Sequence, residues 1–291
     1  MVETAFPSRY RASRAEAAKE SRGAMRTALT IAGSDSGGGA GIQADLKTFT
    51  AFKVFGLSAI TGLTAQNTRG VQGVELPRTD FIRAQLQVVM EDIGADAAKT
   101  GMLATGEIIR TVAAAVREFG IRNLVVDPVM IAASGDALMQ HEAAPVMREH
   151  LLPLATVVTP NLDEATILCQ RKIRMLEEMQ EAARTIHAMG PKYVLIKGGH
   201  LPGERVIDLL YDGQEFVRRE SQRVAGEFHG TGCTLSSAIA AGLAKGLPVK
   251  EAVATAQAYV ALGLRSAPSV GHGRRPLNHF PEGFTPPEER G

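Results

Sequence analysis

A glycine-rich loop that runs directly into a helix is the part of this sequence best suited to chemistry. Gly230-Thr231-Gly232-Cys233 is followed by a run of small residues, from Thr234 to Leu243, that is typical of a packed helix. Glycines let successive backbone N–H groups turn toward one point, and the start of a helix adds partial positive charge there. The junction therefore predicts a site for a phosphate or for a phosphoryl group in transfer. The alternative is an ordinary turn in which Cys233 is a small buried side chain.

The thiol at this junction is a candidate base. A helix N-terminus favours the thiolate, so we expect the pKa of Cys233 to lie below its ordinary value of roughly 8.5, near working pH. The chain has one other cysteine, Cys169, which lies at an apolar helix end and is expected to be inert. Two cysteines do not make a disulfide framework, which favours free thiols and a cytoplasmic location.

Short apolar runs alternate with helical patterns from end to end and predict an α/β fold. Strands alternating with helices of this length imply βαβ units and a mainly parallel sheet. Asp212-Gly213 between two apolar runs, 206–211 and 214–217, predicts a hairpin, so the sheet is expected to end in antiparallel strands. The other predicted strands are 28–32, 58–64, 97–100, 123–127, 156–159 and 193–197, and the clearest predicted helices are 40–52, 79–93, 105–120, 231–245 and 249–265.

Polar or glycine-rich residues follow six of these predicted strands. Ligands bind beyond the carboxyl ends of the strands in an open α/β sheet, so we expect these segments to meet in one site. Each segment alone could be a turn or a helix cap, and the first is neither a Walker loop nor a dinucleotide fingerprint. The six segments are 33–41, 66–68, 101–102, 127–130, 159–164 and 197–200.

Composition limits the classes of partner. The formal net charge of +1 in 291 residues gives no electrostatic footprint for nucleic acid, and no run of about 18 uncharged apolar residues indicates a membrane span. Residues 1–24 are polar and lack a signal-peptide core, so we expect a disordered extension, with a transit peptide disfavoured by its acidic residues. A single domain is predicted over 25–280, followed by a disordered tail at 281–291.

The segments together resemble the ribokinase-like superfamily, and within it the hydroxymethylpyrimidine and hydroxymethylpyrimidine-phosphate kinases of thiamine biosynthesis. The resemblance implies a three-layer α/β/α sandwich and two successive phosphorylations, by ATP with Mg²⁺, of 4-amino-5-hydroxymethyl-2-methylpyrimidine. It also implies a homodimer. The matching stretches are Leu29–Asp35, Gly38–Thr48, Ala65–Thr68, Lys99–Leu103, Asp127–Met130, Thr159–Ala165, Lys197–His200 and His229–Thr234.

The resemblance assigns a substrate end to the site. Gln66 matches the residue that pairs with the pyrimidine ring, and its amide can both accept from an exocyclic amine and donate to a ring nitrogen. Gly33 and Asp45 are expected to contact the hydroxymethyl end of the substrate. Met102 and Val129 are expected to pack on the ring.

The nucleotide end is assigned in the same way. Asp127 and Glu164 are the expected Mg²⁺ ligands, and Asn161, Glu164, Lys197 and Thr231 are expected to contact ATP. Lys197 would also offset phosphate charge during transfer.

The catalytic group is placed at the loop before the last two helices. The N–H groups of Gly230, Thr231, Gly232 and Cys233 are expected to hold the γ-phosphoryl group, and Cys233 to take the hydroxyl proton. Most ribokinase-like enzymes carry aspartate where Cys233 stands, whereas this subfamily and some bacterial pyridoxal kinases carry cysteine. Phe228 departs from the threonine that related sequences often have, with only a local effect expected near the nucleotide.

Two other functions stay open at this point. One is a pyridoxal or pyridoxine kinase of the same fold, which Gln66 disfavours. The other is a non-catalytic protein that binds the pyrimidine as a sensor, which the full set of metal and transfer residues disfavours.

Overall fold

The structure is a computed structural model that describes residues 25–132, 135–136, 138–140, 142–199 and 203–290. The predicted extension at 1–24 lies outside these residues. The described strands are β1 Thr27–Asp35, β2 Phe55–Asn67, β3 Gly70–Glu75, β4 Ala97–Thr100, β5 Leu124–Val126, β6 Val157–Val158, β7 Tyr193–Ile196, β8 Arg205–Tyr211, β9 Phe216–Gln222, β10 Phe228–His229 and β11 Arg275–Pro276. The helices are α1 Gly41–Ala51, α2 Thr79–Asp92, α3 Gly106–Glu118, α4 Ala143–Val146, α5 Leu162–Cys169, α6 Leu176–His187, α7 Thr231–Ala244 and α8 Val249–Arg265.

A nine-stranded sheet lies at the centre of the fold, in the order β3-β2-β1-β4-β5-β6-β7-β8-β9. From β2 to β7 all neighbours pair in parallel. The hairpin of β8 and β9 continues the sheet in antiparallel fashion from β7, which confirms the predicted antiparallel edge. A second antiparallel strand, β3, closes the other edge against β2 and was not predicted.

The sheet is buried on both faces because its central strands are apolar throughout. In β5, Leu124 and Val126 face one core, which is packed by α2, α3, α5 and α6. Val125 faces the opposite core, which is packed by α1, α7 and α8. Side chains alternate across a strand, so a continuous apolar run supplies both cores at once. The result is the three-layer α/β/α sandwich predicted from the sequence, here with its layers observed.

The segment after Phe280 contacts the domain through Phe284. Residues 281–290 contain no helix or strand, but Phe284 packs against Phe52 and Tyr259, with ring centroids 5.0 Å and 4.5 Å away. The N–H of Arg290 donates to the Lys245 carbonyl oxygen at 2.8 Å. The disordered tail stays a prediction, and the described contacts place Phe284 against Phe52 and the α8 residue Tyr259.

Among the described helices, none combines the length and the apolar character that crossing a membrane would require.

Candidate active site

The carboxyl ends of the parallel strands open into one cleft of about 890 Å³. Polar residues at or just beyond the carboxyl ends of β1, β2, β4, β5, β6 and β7 all reach it, together with the N-terminus of α7. This convergence is what the strand-end argument predicted. Of the thirteen candidate residues, twelve line the cleft, namely Gly33, Gln66, Met102, Asp127, Val129, Asn161, Glu164, Lys197, Gly230, Thr231, Gly232 and Cys233.

The N-terminus of α7 presents free backbone donors to this cleft. Gly230 is the N-cap residue, and no side chain in the described part of the protein caps the helix. The φ of Gly230 is +83°, and a Cβ there would overlap the carbonyl oxygen of Gly39. Only glycine therefore fits this position, which brings the start of the helix against the loop that follows β1. The uncapped N–H groups and the helix dipole make an anion site.

A lysine between two carboxylates lies directly opposite these donors. The Lys197 ammonium is 3.1 Å from Asp127 Oδ1 and 3.9 Å from Glu164 Oε2. Asp127 also accepts hydrogen bonds from Thr159 and Ser236, each at 3.3 Å. A Cβ on Gly232 would lie 3.2 Å from the same ammonium, so the missing side chain lets the backbone of α7 approach this charged group.

Glu164 is fixed by the way α5 begins. Asn161 and Glu164 form a capping box, in which the Asn161 N–H donates to Glu164 Oε2 at 2.7 Å and the Glu164 N–H donates to Asn161 Oδ1 at 2.9 Å. Burial raises the pKa of Glu164 to about 7, although Lys197 lowers it, and Asp127 adds to the rise. The Lys197 ammonium is itself disfavoured by burial, but Asp127 and Glu164 raise its pKa. The charges of Glu164 and Lys197 therefore depend on each other and on the nearby Asp127.

Glu164→Gln is expected to change how stability depends on pH. Because folding raises the pKa of Glu164 from 4.5 to about 7, the folded protein holds a proton that the unfolded chain has lost. The contribution of this proton to wild-type stability is full below pH 4.5 and is lost as the pH rises through about 7. Glutamine keeps the capping box and has nothing to titrate. Urea unfolding of both proteins between pH 4.5 and 8 should show the wild type losing stability relative to the variant, and two parallel curves would contradict this.

The donor set fits a magnesium ion only in partnership with a ligand. Among the described residues, no group of three or more His, Cys, Asp or Glu side chains is arranged to hold a metal. Magnesium is commonly held by one or two carboxylates, with phosphates and waters filling its other positions. Asp127 and Glu164 can supply those carboxylates at the end of the cleft where α7 offers its phosphate-binding donors.

Asp45 is the candidate that does not reach the cleft. Its side chain is fully buried in α1, and both carboxylate oxygens are within 3.0 Å of the Lys99 ammonium, which is also fully buried. Thr30 and Ser237 donate to the same carboxylate at 2.6 Å and 2.5 Å. The contact between Asp45 and a substrate stays a prediction, and in this structure its oxygens are occupied by these partners. Lys99 does line the floor, and sequence reasoning gave it no role.

Cys233 lies in the cleft with a different proton affinity from the one predicted. Burial raises its pKa to about 11, which outweighs the lowering by Lys99 and by the Gly41 backbone N–H. Asp45 and Asp127 raise it further. The expectation of a lowered pKa was wrong because the sequence shows the helix N-terminus but shows neither the burial of the sulfur nor these two carboxylates.

Gln66 contacts a histidine and a threonine in the same cleft. Its Nε2 is 2.9 Å from His229 Nε2, and its Oε1 is 3.0 Å from Thr64 Oγ1. His229 Nε2 is also 2.9 Å from Asp35 Oδ2. Asp35 and His229 had no role predicted from the sequence, although both stand in segments that carried the family resemblance.

Gly33 and Met102 form an apolar wall beside Gln66. A Cβ on Gly33 would lie 3.1 Å from the Met102 methyl carbon. Because glycine has no Cβ, that methyl group can pack against the backbone of β1. Val129 is half-buried and lines the cleft as well. A flat ring can stack in this region while Gln66 contacts its polar edge.

The family model and a curated relative agree on one group of enzymes. The family model of phosphomethylpyrimidine kinase matches residues 35–278. A hydroxymethylpyrimidine/phosphomethylpyrimidine kinase of Rhizobium meliloti is 52% identical over 257 residues, which cover 87% of this chain and 96% of the relative.

Two solved structures share the fold and much of the sequence. An ADP complex of Bacillus subtilis pyridoxal kinase superposes with a TM-score of 0.82 at 44% identity, covering 88% of this chain and 98% of the other. A phosphomethylpyrimidine kinase from Clostridium difficile superposes with a TM-score of 0.73 at 44% identity, covering 81% and 98%.

Proposed function

We propose, on the premise that this chain belongs to the phosphomethylpyrimidine kinase family, that it phosphorylates 4-amino-5-hydroxymethyl-2-methylpyrimidine with ATP. A second transfer to the monophosphate gives the diphosphate used in thiamine biosynthesis. One observation carries the proposal: a single cleft holds an uncapped helix N-terminus, an Asp127–Lys197–Glu164 cluster and a glutamine amide beside an apolar wall. The first two suit a triphosphate, and the third suits an aminopyrimidine.

The nucleotide is proposed to lie along the half of the cleft formed by β5, β6, β7 and α7. Asn161, Glu164, Lys197 and Thr231 line the cleft and are the residues proposed to contact it. The ADP complex of the Bacillus subtilis relative supports a nucleotide in this fold. Asp127 and Glu164 would hold Mg²⁺, which neutralises charge on the phosphates. Lys197, which lies between these two carboxylates, would offset charge on the phosphoryl oxygens.

In the transfer, the protein accepts one proton and binds negative charge. The hydroxymethyl oxygen attacks the γ-phosphorus, the bond from that phosphorus to ADP breaks, and the hydroxyl proton passes to the Cys233 thiolate. Negative charge on the transferred group is met by the N–H groups of Gly230, Thr231, Gly232 and Cys233. Transition states of this kind are usually loose, so positioning and charge carry most of the acceleration.

The decisive experiment identifies the products. The protein is incubated with hydroxymethylpyrimidine, ATP and magnesium, and the products are read by mass spectrometry, with heat-inactivated protein as the control. We expect species with one and two added phosphates. Recovery of the unmodified pyrimidine alone would refute the proposal.

A pyridoxal kinase activity is the second candidate, since the Bacillus subtilis relative is one and is 44% identical. A coupled assay of ADP release with pyridoxal and with the pyrimidine, side by side, separates the two activities. Kinetic preference for the pyrimidine supports the first proposal, and preference for pyridoxal supports this alternative.

Gln66→Leu is expected to raise the KM for the pyrimidine about tenfold or more while leaving the KM for ATP unchanged. Leucine keeps the volume but leaves the amine and the ring nitrogen of the substrate unpaired, which weakens binding. Steady-state kinetics in each substrate measures the effect. Gln72→Leu is the matched control, because Gln72 is exposed on β3 away from the cleft and should change neither constant. An unaltered pyrimidine KM in the Gln66 variant would remove the main support for the substrate assignment.

A further inference from the structure

One nitrogen of His229 lies between two partners that make conflicting demands on it. Nε2 is 2.9 Å from Asp35 Oδ2 and 2.9 Å from the Gln66 amide nitrogen. The His229 and Asp35 side chains are 14% and 3% exposed, so solvent competes little with the contact between them. Whether Nε2 donates to Asp35 or accepts from the Gln66 amide nitrogen decides how Gln66 is oriented.

Asp35 can only accept hydrogen bonds here. Its Oδ2 accepts from the N–H groups of Gly39 and Ala40, and its Oδ1 accepts from the N–H of Gly37. Burial raises the pKa of Asp35, whereas the hydrogen bonds from His229 and from this loop lower it. The lowering effects together are larger, so the pKa lies below its ordinary value. Asp35 is therefore a carboxylate, and the His229 nitrogen that faces it must carry a hydrogen and donate.

A nitrogen that donates to Asp35 cannot also accept from the Gln66 amide. Two donors would face each other if the Gln66 nitrogen stayed beside His229. A half-turn of the amide about its last bond exchanges its oxygen and nitrogen without moving anything else. Glutamine oxygen and nitrogen have nearly the same size, so hydrogen bonding decides between the two orientations.

A second conflict, at Thr64, is resolved by the same half-turn. The Thr64 hydroxyl is 3.0 Å from the Ser34 carbonyl oxygen and 3.0 Å from Gln66 Oε1, and its single hydrogen can make a full bond to only one of them. With the amide turned, Thr64 donates to Ser34 and accepts from the Gln66 nitrogen. Two independent contacts therefore favour one orientation.

We propose that His229, held by Asp35, is a positioning residue that fixes the Gln66 amide with its oxygen toward His229 and its nitrogen toward Thr64, and that this fixed amide selects the ligand. The proposal rests on the function proposed above and deepens it. The amide oxygen then shares the single Nε2 hydrogen with Asp35 in a three-centre hydrogen bond and keeps one free lone pair. The amide nitrogen, bonded to Thr64, keeps one free N–H. The ligand must therefore present a donor on the His229 side and an acceptor on the Thr64 side.

An amine beside an unprotonated ring nitrogen has this order of donor and acceptor. The analogue in which the amine is replaced by a carbonyl oxygen, with a hydrogen on the adjacent ring nitrogen, has the reverse order. An amide that is free to turn can bind either ring, whereas a fixed amide rejects the second. His229 and Asp35 thus determine specificity without contacting the pyrimidine edge.

The test compares the two ligands by isothermal titration against wild type, His229→Leu and His229→Gln. We expect the wild type to prefer the amine at least about tenfold, as a bidentate amide pair does for a nucleobase. In His229→Leu the preference should fall to about threefold or less, since the Gln66 amide can then turn. In His229→Gln it should return toward the wild-type value, because the glutamine amide can donate from nearly the same position.

The outcomes separate the two proposals. If the wild type binds neither ligand, the proposed function fails. If it binds both but His229→Leu weakens both equally, leaving the ratio unchanged, the function stands and the role of His229 is refuted. Thr64→Val gives an independent check if the leucine variant does not fold. It removes the hydroxyl that accepts from the Gln66 nitrogen, so it should also reduce the preference for the amine. An unchanged ratio in Thr64→Val would again refute the proposal.

Discussion

Replacing Lys99 with methionine is expected to lower the free energy of unfolding by about 3–5 kcal/mol, because the Asp45 carboxylate stays buried without its counter-charge. Both side chains are fully buried and 2.9 Å apart. Burial disfavours the Lys99 ammonium, yet Asp45, Cys233 and Asp127 raise its pKa above the ordinary value. Urea unfolding followed by circular dichroism measures the effect as a lower midpoint at an unchanged slope.

Two controls separate this effect from a general sensitivity to losing a lysine. Lys99→Met combined with Asp45→Asn removes both charges, and we expect it to be more stable than Lys99→Met alone. Lys250→Met breaks the ion pair between Lys250 and Asp212, in which the lysine side chain is 41% exposed, and should have a much smaller effect. A loss in Lys99→Met no larger than that in Lys250→Met would show that the buried pair is not needed for stability.

Cys233→Ala is expected to lower kcat toward the lower end of the range of about 10²–10⁴-fold that removal of a catalytic base produces, with the KM for ATP nearly unchanged. The loss should be limited because the loose transfer depends mainly on charge and positioning. Cys169→Ala is the matched control, since burial also raises the pKa of Cys169 to about 11 but this cysteine does not line the cleft. Full activity in Cys233→Ala would show that the residue only packs.

The pH dependence of the reaction tests whether Cys233 is the catalytic base. A base must be deprotonated to act, and with a pKa of about 11 the thiolate fraction increases throughout the range from pH 7 to 9. We therefore expect kcat/KM to rise with pH in the wild type. Cys233→Asp places a carboxylate there, the group that most ribokinase-like enzymes carry, and should reduce this rise. A flat wild-type profile would argue against the thiol as the base.

The parallel sheet and the position of the cleft could be predicted from the sequence because both depend on local patterns. A run such as Asn123–Asp127 shows a strand buried on both faces and ending in a polar group, and six such ends identify one rim. Strand β3 could not be found in this way, since Gly70–Glu75 is half-exposed at an edge and lacks both an apolar run and clear alternation.

Interactions between residues that are far apart in the chain could not be predicted from the sequence. Asp45 and Lys99 each stand in an apolar pattern, and nothing local shows that they are partners 54 residues apart. The same holds for the raised pKa of Cys233, which reflects burial and two carboxylates from other elements. Family motifs pointed to Asp45 as a ligand contact, but only the packing shows that its oxygens are already occupied.

The Asp35–His229 contact joins residues 194 positions apart, and the Ser237–Asp45 bond joins residues 192 apart. Contacts between residues so far apart form slowly, because the chain loses the entropy of loop closure before it gains the energy of the contact. During refolding from denaturant, recovery of ligand binding should therefore lag behind the regain of helical signal. Molecules trapped with α7 undocked would retain most of their secondary structure yet be inactive.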